Sequence, residues 1–273
     1  MSDSTPSTIA SASGQTDAGS ILALTRAVSP RIAECELTHL ARVPIDLERA
    51  REQHRLYEQK LRELGAIVER VAPSPDHPDS VFVEDTAVVL DEVAVLARPG
   101  AASRRGEVDA VAAALGGRRP IVRIEAPCTL DGGDVLVIGR TVFVGRSTRT
   151  SDEGIAQLAG LLDRFGYRTI GVPVRGCLHL KTAAAVIADD AVLVQPRWVD
   201  RACFAGLEVV EVDPDVPAPA NVLRVGDALV VPETHARTRA RLEARGHRVH
   251  TVPADELAKA EAGLTCCSIL LRV

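Results

Sequence analysis

From residue 81 onward the sequence repeats one unit: two short β-rich runs, a helical stretch, then a third β-rich run. The first copy comprises Val81–Leu90, Val93–Ala97, a helix over about Gly106–Leu115 stopped by Gly116-Gly117, and Ile121–Ile124. The second comprises Val135–Ile138, Val142–Val144, a helix over Asp152–Phe165 and Arg168–Val172. The third comprises Ala183–Ile187, Val192–Gln195, a weak helix near residues 200–205 and Leu207–Val212. The fourth comprises Val222–Val225, Leu229–Val231, a helix over Glu233–Arg245 and Arg248–Val252. Alternating apolar runs, Gly and Asp turns and glycine helix stops carry these assignments. A lone strand, Ile269–Val273, lies at one end of the sequence. Near the other lie a strand over Ile21–Thr25, a helix from Leu47 to Leu64 with Asp46 as N-cap and Gly65 as stop, and a strand over Ala66–Val71.

Units that cannot bury their apolar faces alone must stack or close. Pairing the last strand with the first makes a fifth unit from both ends and closes a ring. The expected fold is therefore α/β, a five-bladed α/β propeller with pseudo-fivefold ββαβ repeats, over residues 19–273 as one domain. A doubly wound sheet is the alternative, and it calls for plain strand–helix alternation. Residues 1–18 are polar, lack the order of a signal peptide and read as a disordered tail.

Across 273 residues, 46% apolar, the net charge is −5 and no Lys/Arg run exceeds two. This balance disfavours nucleic acid and anionic membrane as partners. Aromatics at 3% give little to stack on bases. The cysteines at 35, 128, 177, 203, 266 and 267 form no Cys-x-x-Cys pair, and a reducing, cytoplasmic setting fits them best.

Four segments carry the chemistry. Gly263-Leu264-Thr265-Cys266-Cys267-Ser268 offers a thiol, which attacks electrophilic carbon once a cation or helix dipole favours its thiolate. Inert burial is the commoner fate of such a cysteine. Zinc held by Cys266, Cys267, Cys177 and His179 is a further reading, but the spacing matches no structural zinc site. His179 lies between leucines, where a core histidine is commonplace; its position before a strand sets it level with Cys266 in the repeat. Asp131-Gly132-Gly133-Asp134 reads as a turn, or as a carboxylate aimed at the imidazole. Glu84 and Asp85 interrupt an apolar run, with Asp79 nearby: an exposed strand edge, or acceptors for a planar cation. Arg98 and Arg149 are solvated surface residues or ligands for a carboxylate. Acids at one end and arginines at the other suit an amino acid with a cationic tail.

Phe82-Val83-Glu84-Asp85, Arg98-Pro99-Gly100 with Ser103-Arg104-Arg105, Thr129-Leu130-Asp131-Gly132-Gly133-Asp134-Val135, Leu178-His179-Leu180-Lys181 and Leu264-Thr265-Cys266-Cys267-Ser268 together resemble the dimethylarginine dimethylaminohydrolase family. That family belongs to the guanidino-modifying pentein superfamily, and the resemblance runs from about residue 21 to the C-terminus. It implies a five-bladed propeller without cofactor or metal, as monomer or homodimer. The implied activity is hydrolysis of Nω-methylated arginine to citrulline and a methylamine. It implies Cys266 as nucleophile, His179 as general acid and base, and Asp131 as support for the histidine. Glu84 and Asp85 would hold the guanidinium, and Arg98 and Arg149 the carboxylate. Asp79 and the carbonyls of Leu37 and Ala260 would hold the α-amino group. Residues Ser29–His39 depart from the family pattern, and Cys267 is a bystander. Rival expectations are arginine deiminase or dihydrolase chemistry, and a non-catalytic propeller serving as a binding module.

Overall fold

The computed structural model describes residues 19–215 and 218–273; the expected tail over residues 1–18 lies outside them. The chain starts with β1 (Ile21–Thr25), α1 (Leu47–Glu63) and β2 (Ile67–Arg70). Four units follow in order. They are β3 (Ala87–Val89), β4 (Ala94–Leu96), α2 (Val108–Leu115) and β5 (Ile121–Arg123); then β6 (Val135–Ile138), β7 (Thr141–Arg146), α3 (Asp152–Asp163) and β8 (Arg168–Pro173). Next come the one-turn α4 (Leu180–Ala183), β9 (Ala184–Ala188), β10 (Ala191–Val194) and β11 (Glu208–Glu211), with a 3-10 turn at Arg201–Phe204 where a weak helix was expected. The fourth has β12 (Leu223–Val225), β13 (Ala228–Pro232), α5 (Ala236–Glu243) and β14 (Arg248–Val252); a single turn α6 (Asp255–Ala258) and β15 (Ile269–Arg272) complete the chain.

The fifteen strands make five three-stranded sheets. In each, the first strand runs antiparallel to the second and the second parallel to the third. The fifth sheet keeps this pattern with strands from both ends of the chain: β15 is antiparallel to β1, and β1 is parallel to β2. Tyr57 on α1 clamps it through a 2.7 Å hydrogen bond from its hydroxyl to Ser268 Oγ. The expected helix cap also forms, Asp46 accepting from the Arg49 amide at 3.1 Å.

Apolar side chains gather where neighbouring units meet. Val95 packs with Leu158, Phe143 with Phe204, Leu193 with Leu229, and Val230 with Leu61. Leu22 and Leu271 of the fifth unit share a cluster with Leu96 and Leu115 of the first, so the succession returns to its start. All five first strands line one axial cavity. Burying each such side chain stabilises by about 1.5–3 kcal/mol, and each junction needs its neighbour to provide it.

One expectation is corrected. Glu84 and Asp85 do not lie within a strand; Val83–Thr86 is a 3-10 turn, and β3 starts only at Ala87. A single helical turn recurs before β6 (Gly132–Asp134), before β9 (α4) and before β15 (Thr265–Cys267). Glu84, Gly132, Lys181 and Thr265, one residue from each of these four turns, all line the axial cavity.

Candidate active site

His179 precedes α4 in extended conformation and is 3% exposed. Its Nε2 lies 3.0 Å from Asp131 Oδ2, and its Nδ1 lies 3.7 Å from Asp85 Oδ1. Both carboxylates are themselves held. Asp131 Oδ1 accepts from the Gly100 amide at 2.9 Å, and Asp85 accepts from the Gly133 amide at 3.0 Å and from Arg104 at 2.5 Å. Arg104 is buried too, with Glu107 as second partner at 2.9 Å. Asp134 accepts from the Leu180 amide at 2.9 Å and from Thr150 Oγ1 at 2.7 Å, which fixes the turn behind the imidazole. A β-carbon at Gly133 would lie 2.6 Å from both Asp85 Oδ1 and His179 Nδ1, so only glycine allows this approach.

Burial alone would discourage the imidazolium, but the Asp85 charge, the Asp131 hydrogen bond and Asp134 outweigh it and raise His179 to about 9. Asp85 is pulled below its usual range: burial opposes this, and the charges of His179 and Arg104 prevail. Asp134 has the reverse balance; burial lifts it to about 6.

Cys266 lies in the last turn, where its Sγ accepts from the Gly263 amide at 3.3 Å. It shares a small cavity with His179, Asp85, Asp79, Arg149 and Ala260. It also borders a larger recess whose lining includes Leu178, Trp198 and Ala262. Burial pushes the Cys266 thiol up to about 12, and the charges of Asp85 and Glu84 add to it. Cys267 turns the other way, fully buried in the apolar cluster with Tyr57 and Leu61.

In the same lining, burial raises Asp79 to about 6, although Arg104 and the Glu36 amide favour its carboxylate. That amide donates to Asp79 at 3.1 Å, and Arg149 donates to Thr38 Oγ1 at 3.2 Å.

A family model described as arginine deiminase matches residues 75–218, more than half of the chain. A dimethylarginine dimethylaminohydrolase from Streptomyces coelicolor is 38% identical over 92% of this chain and 96% of its own length. The corresponding protein of Pseudomonas aeruginosa is 32% identical over 82% and 89%.

The chain belongs to the dimethylarginine dimethylaminohydrolase family.

A solved structure of the Pseudomonas aeruginosa member, a cysteine-to-serine variant complexed with citrulline, superposes with a TM-score of 0.87 at 29% identity, covering 92% of this chain and 98% of that one. The N-terminal domain of a cyanobacterial arginine dihydrolase shares the fold, with a TM-score of 0.83 at 21% identity over 92% and 97%.

In this dimethylarginine dimethylaminohydrolase family member, most of the residues singled out from sequence meet. Cys266, His179, Asp85, Asp79, Arg149 and Ala260 line one cavity, and Asp131 stands behind His179. Glu84 faces the axial cavity, paired with Lys181 at 2.7 Å, while its Oε2 is buried without a hydrogen-bond partner among the described residues. Arg98 and Leu37 are not part of the lining of either cavity beside Cys266. Arg98 donates to the Cys128 carbonyl at 3.0 Å, and Leu37 packs on the apolar cluster around α1.

Sequence reading missed four residues. Arg104 neutralises Asp85, and Lys181 pairs with Glu84. Asn221, in the unit without a turn before its first strand, accepts from the Leu264 amide at 2.8 Å and steadies the approach to Cys266. Glu261 borders both cavities. Arg104 and Lys181 had a signal, since both stand inside quoted motifs; Asn221 and Glu261 had none. Among the described residues, the one gathering of metal-capable ligands is Asp85, Asp131 and His179, with atoms within 4.8 Å of one another. Arg104 already occupies Asp85. The four residues weighed for zinc do not assemble, because Cys267 points into the core.

Proposed function

We propose that this chain hydrolyses Nω-methylated arginine to citrulline and a methylamine, with Cys266 as nucleophile and His179 as acid and base. The observation that carries this reading is one cavity lined together by Cys266, His179, Asp85, Asp79 and Arg149. Asp79 suits an α-amino group, with the Ala260 carbonyl beside it, and Arg149 suits an α-carboxylate. Asp85 lines this cavity and suits a guanidinium, whose charge it maintains; Glu84, paired with Lys181, opens on the axial cavity.

The arriving guanidinium adds the positive charge that the thiol lacks, and the Cys266 proton leaves to solvent. The thiolate attacks the central carbon and an S–C bond forms. His179, already an imidazolium at neutral pH, gives its proton to the substituted nitrogen as the C–N bond breaks, and methylamine departs. The neutral imidazole then takes a proton from water. The resulting hydroxide attacks the same carbon; as the S–C bond breaks the hydroxyl proton passes to the departing sulfur, and citrulline leaves with the thiol and the imidazolium restored. The larger recess beside Cys266 offers room for a methylated nitrogen, with Leu178, Trp198 and Ala262 beside Asn221, Thr234 and Glu261 in its lining.

The rival substrate is free arginine, the reading favoured by the description of the matched family model. Arginine, monomethylarginine and dimethylarginine offered together, with products followed by mass spectrometry, decide between them. Methylamines should dominate, and C266S should bind the substrates without turnover. Ammonia and citrulline formed chiefly from free arginine would overturn the reading.

A further inference from the structure

Eight glycines among the described residues have left-handed φ, and one other residue joins them: Glu261, at φ 57°. A β-carbon is disfavoured in that region. The position makes the choice of residue more informative. The Glu261 amide donates to the Ala258 carbonyl at 3.2 Å, so Glu261 closes the turn that follows α6, two residues past its C-cap Lys259, at a left-handed position that favours glycine.

What a glycine would lack is the carboxylate. Glu261 Oε2 accepts from the Thr38 amide at 2.9 Å, and Oε1 accepts from the amides of both His39 and Leu40. Three successive amides converging on one anion form a nest with charge-assisted hydrogen bonds. They belong to the irregular segment over residues 36–40, whose Glu36 lines the smaller cavity and whose His39 and Leu40 line the larger one. Two other ties of this segment run to Asp79 and Arg149, the groups assigned above to the substrate's amino acid end; a third joins Glu36 to Ser103 Oγ at 2.5 Å, and Leu37 packs on the cluster around α1. A substrate competes for Asp79 and Arg149. It does not compete for Glu261.

We propose that Glu261 is the latch of this segment: a positioning residue that holds residues 38–40 over the site while Asp79 and Arg149 exchange their segment contacts for substrate. The kinetic consequence rests on the reaction proposed above; the latch itself does not.

Amide hydrogen exchange on the full chain tests the contact directly, with E261A, E261G and E261D beside the parent. Loss of the carboxylate should speed exchange at Thr38, His39 and Leu40 about tenfold or more. It should raise the KM for methylarginine about tenfold while kcat stays within about twofold, with E261D partly restoring both. E261G separates latch from scaffold. Freed of the β-carbon, it should keep the parent's Tm while exchange and KM move as in E261A. Unchanged exchange at residues 38–40 in both E261A and E261G overturns the proposal, as does an E261A effect that follows a loss of Tm and vanishes in E261G. If exchange rises but the parent itself fails to turn over methylarginine, the latch stands and the reaction falls.

Discussion

His179 and Cys266 border the same cavity and are prepared in opposite ways. Units one and two surround the imidazole with Asp85, Asp131 and Asp134, each fixed by backbone amides, hydroxyls or Arg104. Its positive form is therefore stabilised before any ligand arrives. Unit five presents Cys266 to the same negative surroundings, which oppose a thiolate; Lys181 offsets them only weakly. The difference teaches where the missing charge comes from. A site that is acidic, buried and built around a neutral thiol is completed by a cationic ligand, and that is how it can select a guanidinium.

The contrast breaks most completely at Asp131. D131N keeps the shape but removes the charge that orients His179 and favours its imidazolium, and kcat should fall by about 10²–10⁴, the contribution of a positioned general acid and base. Steady-state kinetics giving a loss below about tenfold would detach Asp131 from the chemistry.

The cysteine half is sharpened by alkylation. With the thiol near 12 rather than 9, the thiolate fraction at pH 7.5 is about a thousandfold lower, partly offset by the greater nucleophilicity of a more basic thiolate. Iodoacetamide should therefore label Cys266 about 30- to 100-fold more slowly than a free thiol, and the rate should climb through pH 10. Peptide mass spectrometry separates Cys266 from the half-exposed Cys128 and Cys203. A rate already level by pH 8 would mean that the thiolate is formed without a ligand.

A smaller effect is expected on folding. His179 is held at about 9 against an ordinary 6.5, so its stabilisation is complete below pH 6.5, declines as pH rises and is gone above about 9. At 1.36 kcal/mol per pH unit this amounts to something on the order of 3 kcal/mol. Urea unfolding of the parent and of H179Q at pH 6 and pH 9.5 should show the gap between them shrink by that order. A gap independent of pH would remove the carboxylate ring as the cause.

The scaffold was legible in sequence because strands and glycine stops leave periodic marks: β1, β6 and β14 fall on the residues expected, and Asp46 caps α1 as expected. The turn at Val83–Thr86 was not legible, since four residues carry no period, and an apolar run with two acids inside it looks like a strand. Cys266, His179 and Asp131 could be picked out because each precedes the first strand of a unit. Their partners were harder. The pairings of Arg104 with Asp85, Lys181 with Glu84 and Glu261 with Thr38 join different turns and loops, and nothing local in sequence specifies which will meet. Leu37 and Arg98 teach the converse. A motif position can be right in order while its side chain turns to another neighbour, as Arg98 does toward the Cys128 carbonyl.

The sheet made from β15, β1 and β2 also sets a timetable. During synthesis β1 leaves the ribosome first and waits, one edge unpaired, until β15 arrives more than 240 residues later, a span set by the pairing of Leu24 with Ile269. Every intermediate length therefore has an open strand edge, the kind of surface that invites chaperones and proteases. Cys266 emerges just ahead of β15, so the thiol enters the site as the last edge is sealed. A chain interrupted earlier is both inert and conspicuous, and quality control and chemical competence share one final step.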